Sequence, residues 1–206
     1  MLRHRGPLVL ALALAALAAC APDSTQPSGL IRTGEPMLGL FDPEIEVDVL
    51  QRTTPLLHNF AAVGLIGRTG GTISLRDAGF SITFPPNAVT LPTLVTVAAV
   101  PGTGVAYVLE PHGLRFREPP VITLDLRGTE VFQDPSGRAE LEGAYVPGAA
   151  LLDGLVARVS ETRPTTVDVT GWKMRFTIDH FSTYVAASGR RSGYISSSGN
   201  LIPSGN

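Results

Sequence analysis

Trp172-Lys173-Met174-Arg175-Phe176-Thr177-Ile178-Asp179 is the stretch that decides the fold. Apolar side chains stand at positions 172, 174, 176 and 178, and polar ones at 173, 175, 177 and 179. A strand turns successive side chains to opposite faces, so alternation over this length marks a half-buried β-strand. The same period recurs upstream in Thr72-Ile73-Ser74-Leu75 and in Phe80-Ser81-Ile82-Thr83-Phe84. It returns where Ile122, Leu124 and Leu126 alternate with Thr123 and Asp125. A β-branched run from Thr93 to Val100 and a short run, Tyr107-Val108-Leu109, add two more strands. Gly and Pro separate these segments, and no helix-period pattern of useful length follows the first 19 residues. Short strands broken by turn residues predict an all-β, antiparallel β-sandwich or barrel over residues 58–187.

The flanks read differently. Ile45, Val47 and Val49 alternate with Glu46 and Asp48, but Pro43 and the Arg52–Pro55 segment beside them predict an isolated or edge strand at best. Residues 20–57 therefore read as a spacer, Pro-, Ser-, Thr-, Gln- and Gly-rich up to about Arg32. Residues 188–206, rich in Ser, Gly and Asn, read as a disordered tail.

At the N-terminus, Arg3, His4 and Arg5 precede an apolar stretch from Leu8 to Ala19, and then comes Cys20. This is the pattern of a secretory signal over residues 1–19, with an apolar run too short for the ~20 residues of a spanning helix. Leu17-Ala18-Ala19-Cys20 resembles the lipobox of bacterial lipoproteins, and Cys20 is the only cysteine in the chain. The resemblance implies diacylglyceryl transfer to the Cys20 thiol, cleavage before Cys20, and acylation of the new N-terminus. Each buried methylene contributes ~0.8 kcal/mol, so two or three chains hold a protein to a membrane where one does not. Ala21, rather than Asp, follows the cysteine, which by the enterobacterial lipoprotein rule implies the outer membrane. Ordinary secretion, with Cys20 incidental, is the alternative reading.

Loss of Arg3 and Arg5 with the signal leaves 14 Lys and Arg against 18 Asp and Glu, a formal charge of −4. That balance argues against nucleic acid as a partner, because phosphate binding needs a concentrated basic face. A single cysteine allows no disulfide within the chain. His58, His112 and His180 are widely separated and lack ligands at metal-site spacing, so neither a metal nor a cofactor is expected. Asp134-Pro135-Ser136-Gly137 reads as a turn. No phosphate-cradling loop or Gly-x-Ser-x-Gly elbow is present, so no small-molecule substrate is evident.

Three further blocks, in order, carry a second resemblance. Gly70-Gly71-Thr72-Ile73-Ser74-Leu75 leads into Gly79 to Phe84, then Pro85-Pro86-Asn87-Ala88-Val89. Pro111-His112-Gly113-Leu114-Arg115-Phe116 and Pro119-Pro120 follow. Together they resemble the ZU5 domain from about Ile66 to Leu126, which implies that family's β-sandwich and a role in protein interaction or autoinhibition. Asn87 stands where the family usually has Gly, a mild change if that position is left-handed.

His180-Phe181-Ser182 resembles the self-cleavage motif of ZU5-related domains, in which the chain breaks between Phe and Ser. The resemblance implies that the Ser182 hydroxyl attacks the Phe181 carbonyl, with His180 as general base and water hydrolysing the resulting ester. Continued alternation places Phe181 on the polar face of its strand, so a bulge or kink is predicted between Asp179 and Ser182. The plainer reading is a strand end, with His180 hydrogen-bonded in the core, Phe181 capping the sandwich and Ser182 in a turn. The expected function is thus a membrane-tethered, non-enzymatic interaction or envelope-structural module with an unknown protein partner. The alternative is a domain that cleaves its own chain once.

Overall fold

The computed structural model describes residues 45–148, 152–191, 193–195 and 201–203, all within one compact unit, Leu40–Asn206. The expected signal over residues 1–19, Cys20 and most of the expected spacer lie outside the described residues. The strands are β1 (Ile45–Val49), β2 (Gln51–Leu56), β3 (Phe60–Ile66), β4 (Gly71–Leu75), β5 (Phe80–Phe84), β6 (Thr93–Ala99), β7 (Gly102–Gly104), β8 (Ala106–Glu110) and β9 (Val121–Asp125). After a single helical turn, α1 (Glu130–Gln133), come β10 (Glu142–Val146), β11 (Leu152–Asp153), β12 (Val156–Val159), β13 (Glu161–Arg163), β14 (Thr165–Asp168), β15 (Lys173–Thr177), β16 (Thr183–Arg190), β17 (Gly193–Ile195) and β18 (Leu201–Pro203).

The fold is all-β with antiparallel sheets. A five-stranded sheet runs β14-β15-β9-β5-β4, and a nine-stranded one follows β11-β12-β1-β16-β8-β6-β3, with β10 and β13 branching from β16. Alternate residues of the two sheets meet in one core. Phe80, Ile82, Ile122, Leu124, Met174 and Phe176 come from the smaller sheet, and Val95, Val97, Tyr107, Leu109 and Tyr184 from the larger. This is the packing that the period-2 sequences predict. The strand of the opening sequence begins at Lys173 rather than Trp172. Trp172 lies in the preceding turn with φ of 54° and stacks edge-on against Phe132 at 4.4 Å.

At one end the large sheet closes on itself. β1 pairs with β12 and β16, β16 with β10, and β10 with β13, which follows β12 after Ser160 alone. The ring encloses a second core of small side chains, two each from β1, β12, β10 and β16, namely Val47 and Val49, Ala157 and Val159, Ala144 and Val146, Val185 and Ala187, joined by Ala106 of β8. Valine and alanine suit this interior because facing strands in so narrow a ring leave no room for larger residues.

Three expectations are corrected here. The 45–49 strand is neither isolated nor at an edge: β1 is paired on both sides, with Val47 and Val49 buried. The folded region therefore starts by Ile45 rather than at 58, because the partners that satisfy β1 lie more than a hundred residues away and leave no local trace. Nor is 188–206 disordered from its start: Arg190 pairs with Glu142 at 2.9 Å and Arg191 with Asp48 at 2.7 Å. Further on, β17 pairs with β18.

Turn chemistry follows the sequence. Gly70, Gly79 and Gly113 have φ of 74°, 66° and 76°, and Asn87 is left-handed at 64°, a conformation that asparagine tolerates better than most residues. At Gly70 a Cβ would collide with the backbone oxygen of Phe84, so glycine is required there on two counts. Asp134 caps the 3-10 turn after α1, accepting from the Ser136 N–H at 3.0 Å.

Candidate functional site

The chain crosses from the small sheet to the large one between β15 and β16, and His180-Phe181-Ser182 is the crossing. The kink predicted between Asp179 and Ser182 is therefore present: the strand stops at Thr177 and a new one begins at Thr183. The crossing is laced to the Pro111–Phe116 loop. Phe181 N–H donates to the Leu114 carbonyl at 2.9 Å, Gly113 N–H donates to the Phe181 carbonyl at 3.0 Å, and Phe116 N–H donates to the Asp179 carbonyl at 3.0 Å. Two motifs that stand 64 residues apart in sequence, at Phe116 and His180, thus form one structural unit.

Phe181 is fully buried, edge-on to Phe116 at 4.9 Å and to Phe84 at 6.0 Å. Ser182 is 2% exposed; its carbonyl accepts from Leu109 N–H at 3.0 Å and its hydroxyl donates to the Val146 carbonyl at 3.3 Å. His180 is half-buried with its ring edge-on to Tyr145 at 4.7 Å, and its carbonyl accepts from the Tyr184 hydroxyl at 2.8 Å. Burial pushes the Tyr184 phenol well above its ordinary value, and nearby Arg163 opposes this only in part. Tyr184 therefore remains an O–H donor at any ordinary pH. Arg163 pairs with both Asp179 and Glu161 at 2.6 Å. Burial lowers its pKa, but the hydrogen bond it donates to Asp179 and the two carboxylate charges outweigh that and raise it.

The Ser182 hydroxyl and the Phe181 carbonyl, the expected nucleophile and cleavage point, are adjacent by sequence, but no hydrogen bond joins Ser182 to His180. The Phe181 carbonyl has one backbone donor, Gly113 N–H at 3.0 Å. Gly113 was legible only as a turn glycine, because its role depends on a pairing across the fold. His58 and His112 lie apart and exposed; His112 stands 3.6 Å from Glu110. Among the described residues no group of three metal-ligating side chains converges, and no helix is long and apolar enough to cross a membrane.

A second surface was not legible at all. β3 ends the large sheet, and nothing among the described residues pairs with its outer edge. Its outward side chains are Ala61, Val63 and Leu65, with Leu94 directly opposite Leu65 on β6. Val63, Leu65 and Leu94 are 61%, 69% and 63% exposed, and Leu91 nearby is 72% exposed. An apolar run such as Phe60–Ile66 reads from sequence as buried on both faces, so its exposure carries no sequence signal. No family model matches the chain, and neither does any curated protein.

Proposed function

We propose that this chain is a lipid-anchored, extracytoplasmic protein-interaction module that receives an extended apolar segment of another envelope protein alongside β3. The observation that carries this reading is the open, uncharged β3 edge. Exposed edges are normally blunted by lysine, proline, a bulge or a covering element, and β3 has Val63 and Leu65 in their place. An added strand would satisfy the free backbone groups of β3 and cover these side chains in one step. The uncharged surface favours an apolar partner strand over an acidic or basic one. The ZU5-like blocks support an interaction role, and the signal and lipobox pattern supports the anchor. Replacing Leu65 and Leu94 together with lysine tests the surface. Partner recovery from crosslinked envelopes is expected to disappear while the melting temperature stays put; unchanged recovery contradicts the reading. For the anchor, a palmitate analogue should label wild type and not Cys20→Ser; equal labelling, or none in either, contradicts it.

One observation favours self-processing as a second reading, namely the Gly113 N–H on the Phe181 carbonyl. In that reaction the Ser182 hydroxyl, deprotonated by His180, bonds to the Phe181 carbonyl carbon as the C–N bond breaks and the freed amine takes the proton. Water then splits the ester. Ser182 would first have to leave its bond to Val146. β16 stays paired to β1, β8 and β10, so a cut chain would hold together and intact mass must be read under denaturing conditions. A break after Phe181 that Ser182→Ala abolishes supports this reading; an unbroken wild-type chain eliminates it.

A further inference from the structure

The two sheets differ on their outer faces as well as at their edges. Across the small sheet, one row of cross-strand neighbours runs Ser74, Ser81, Thr123, Arg175 and Thr166. That is the polar surface expected of an antiparallel sheet with one face in water. The large sheet outside the ring is built otherwise. Ala61, Ala98 and Val108 form one row across β3, β6 and β8, and Leu65 with Leu94 forms another. Between them run Val63 and Thr96, and Glu110 of β8 ends that row. Ala98 and Val108 are half-buried and belong to neither core, and Leu94 is 63% exposed. A strand added along β3 covers its backbone edge and leaves β6 and β8 open. Neighbouring strands lie ~4.8 Å apart, so Leu94 and Ala98 stand about 10 Å from such a strand and Val108 about 14 Å. Side chains of a sheet meet diagonally over only ~7–8 Å. An element stacked on the face, rather than beside it, is needed to cover them.

We infer that the partner's strand is joined to an amphipathic helix that lies on the outer face of β3, β6 and β8; this rests on the reading of β3 as the strand-receiving edge. The width of the face decides for a helix. Three strands span about 10 Å between the outer two, close to the ~10–12 Å diameter of one helix, whereas a second sheet of several strands would overhang. β3 and β6 are seven residues long, about 23 Å, which a helix of about 15 residues matches. Ala61 and Ala98 allow the helix backbone a close approach, and Leu65 and Leu94 meet the apolar stripe of its other end. Glu110 is the one charged residue in these rows, so an apolar stripe fits where a charged one does not.

The test places a photo-crosslinking amino acid at Val108 and, separately, at Leu65 of the full-length chain in living cells, and maps the joined peptides by mass spectrometry. Both positions are expected to capture the same protein. Val108 should join a segment with apolar residues at helical spacing, and Leu65 a separate segment of that chain. Ala98→Glu should cut the Leu65 yield at least fivefold while the melting temperature stays put. Capture from Leu65 alone, or an unchanged Leu65 yield in Ala98→Glu, overturns the helix and leaves the strand reading standing. A Val108 adduct with a period-2 segment, with lipid or with this chain itself also overturns it. No adduct from Leu65 overturns the strand reading and the helix with it.

Discussion

The two ends of the large sheet solve the same problem in opposite ways. At one end β1, β12, β10 and β16, with β13 carrying the chain from β12 onto β10, close into a ring, bury valine and alanine inside it, and leave β1, β12, β10 and β16 paired on both sides. At the other end β3 stops with no neighbour and turns Val63 and Leu65 to solvent. The five-stranded sheet offers a third case: its edge strand β14 carries Thr165, Thr166 and Asp168, the polar treatment usual for an edge. On the reading proposed above, the difference reflects a partner strand received at β3.

If that contrast is right, substitutions in the closed body should act on folding and substitutions at β3 on binding. The largest effect is expected at the seam between the sheets. Phe181→Ala removes a fully buried ring from the Phe84–Phe116 cluster and should cost about 3–5 kcal/mol in denaturant unfolding. A loss below about 1 kcal/mol would show that the crossing is not part of the core. Next is Gly143→Ala on β10, whose added Cβ would press into the Phe176 ring. Overpacking of this kind costs about 1–3 kcal/mol, so the melting temperature should fall clearly. At the open edge, Leu65→Lys with Leu94→Lys should change stability by no more than about 0.5 kcal/mol, because both side chains already meet water. A large loss there would mean that β3 is covered within the protein itself.

The smallest effect concerns the polar edge and pH. The Asp168 carboxylate accepts from the N–H groups of Gly171 at 2.8 Å and Thr170 at 3.0 Å, and these bonds hold its pKa below the ordinary value. A depressed carboxylate contributes stability above its unfolded pKa and loses it as pH falls through the folded one. The melting temperature should therefore decline below about pH 4, and Asp168→Asn should flatten that decline. An identical acid profile in both proteins would show that the turn does not depend on the charge.

How much of this was legible in the sequence depended on how many faces of a strand are buried. β5, β9 and β15 show period-2 alternation because only one face of each meets the core. β16 shows none, since both its faces are buried: Tyr184 and Ala186 enter the main core while Val185 and Ala187 enter the ring. Its first five residues fall inside the expected sandwich region without reading as a strand, and 188–190 read as the beginning of the tail. β1 alternates clearly, yet its flanking prolines masked a strand whose partners lie far along the chain. Local backbone demands were legible, as at Asn87. The meeting of the Pro111–Phe116 loop with His180-Phe181-Ser182 was not, because tertiary pairing creates it. The burial of Arg52 was equally invisible, since a lone arginine in a polar segment reads as exposed.

The central claim is that the β3 edge is the interaction surface, and one comparison tests it most directly. A photo-crosslinking amino acid is placed at Leu65 and, separately, at Thr166 on the polar β14 edge, and the full-length chain is irradiated in living cells. The account predicts one discrete heterologous adduct from Leu65, lost when Val63→Lys is added, and none from Thr166. Adducts of equal yield from both positions, or none from Leu65, would contradict it.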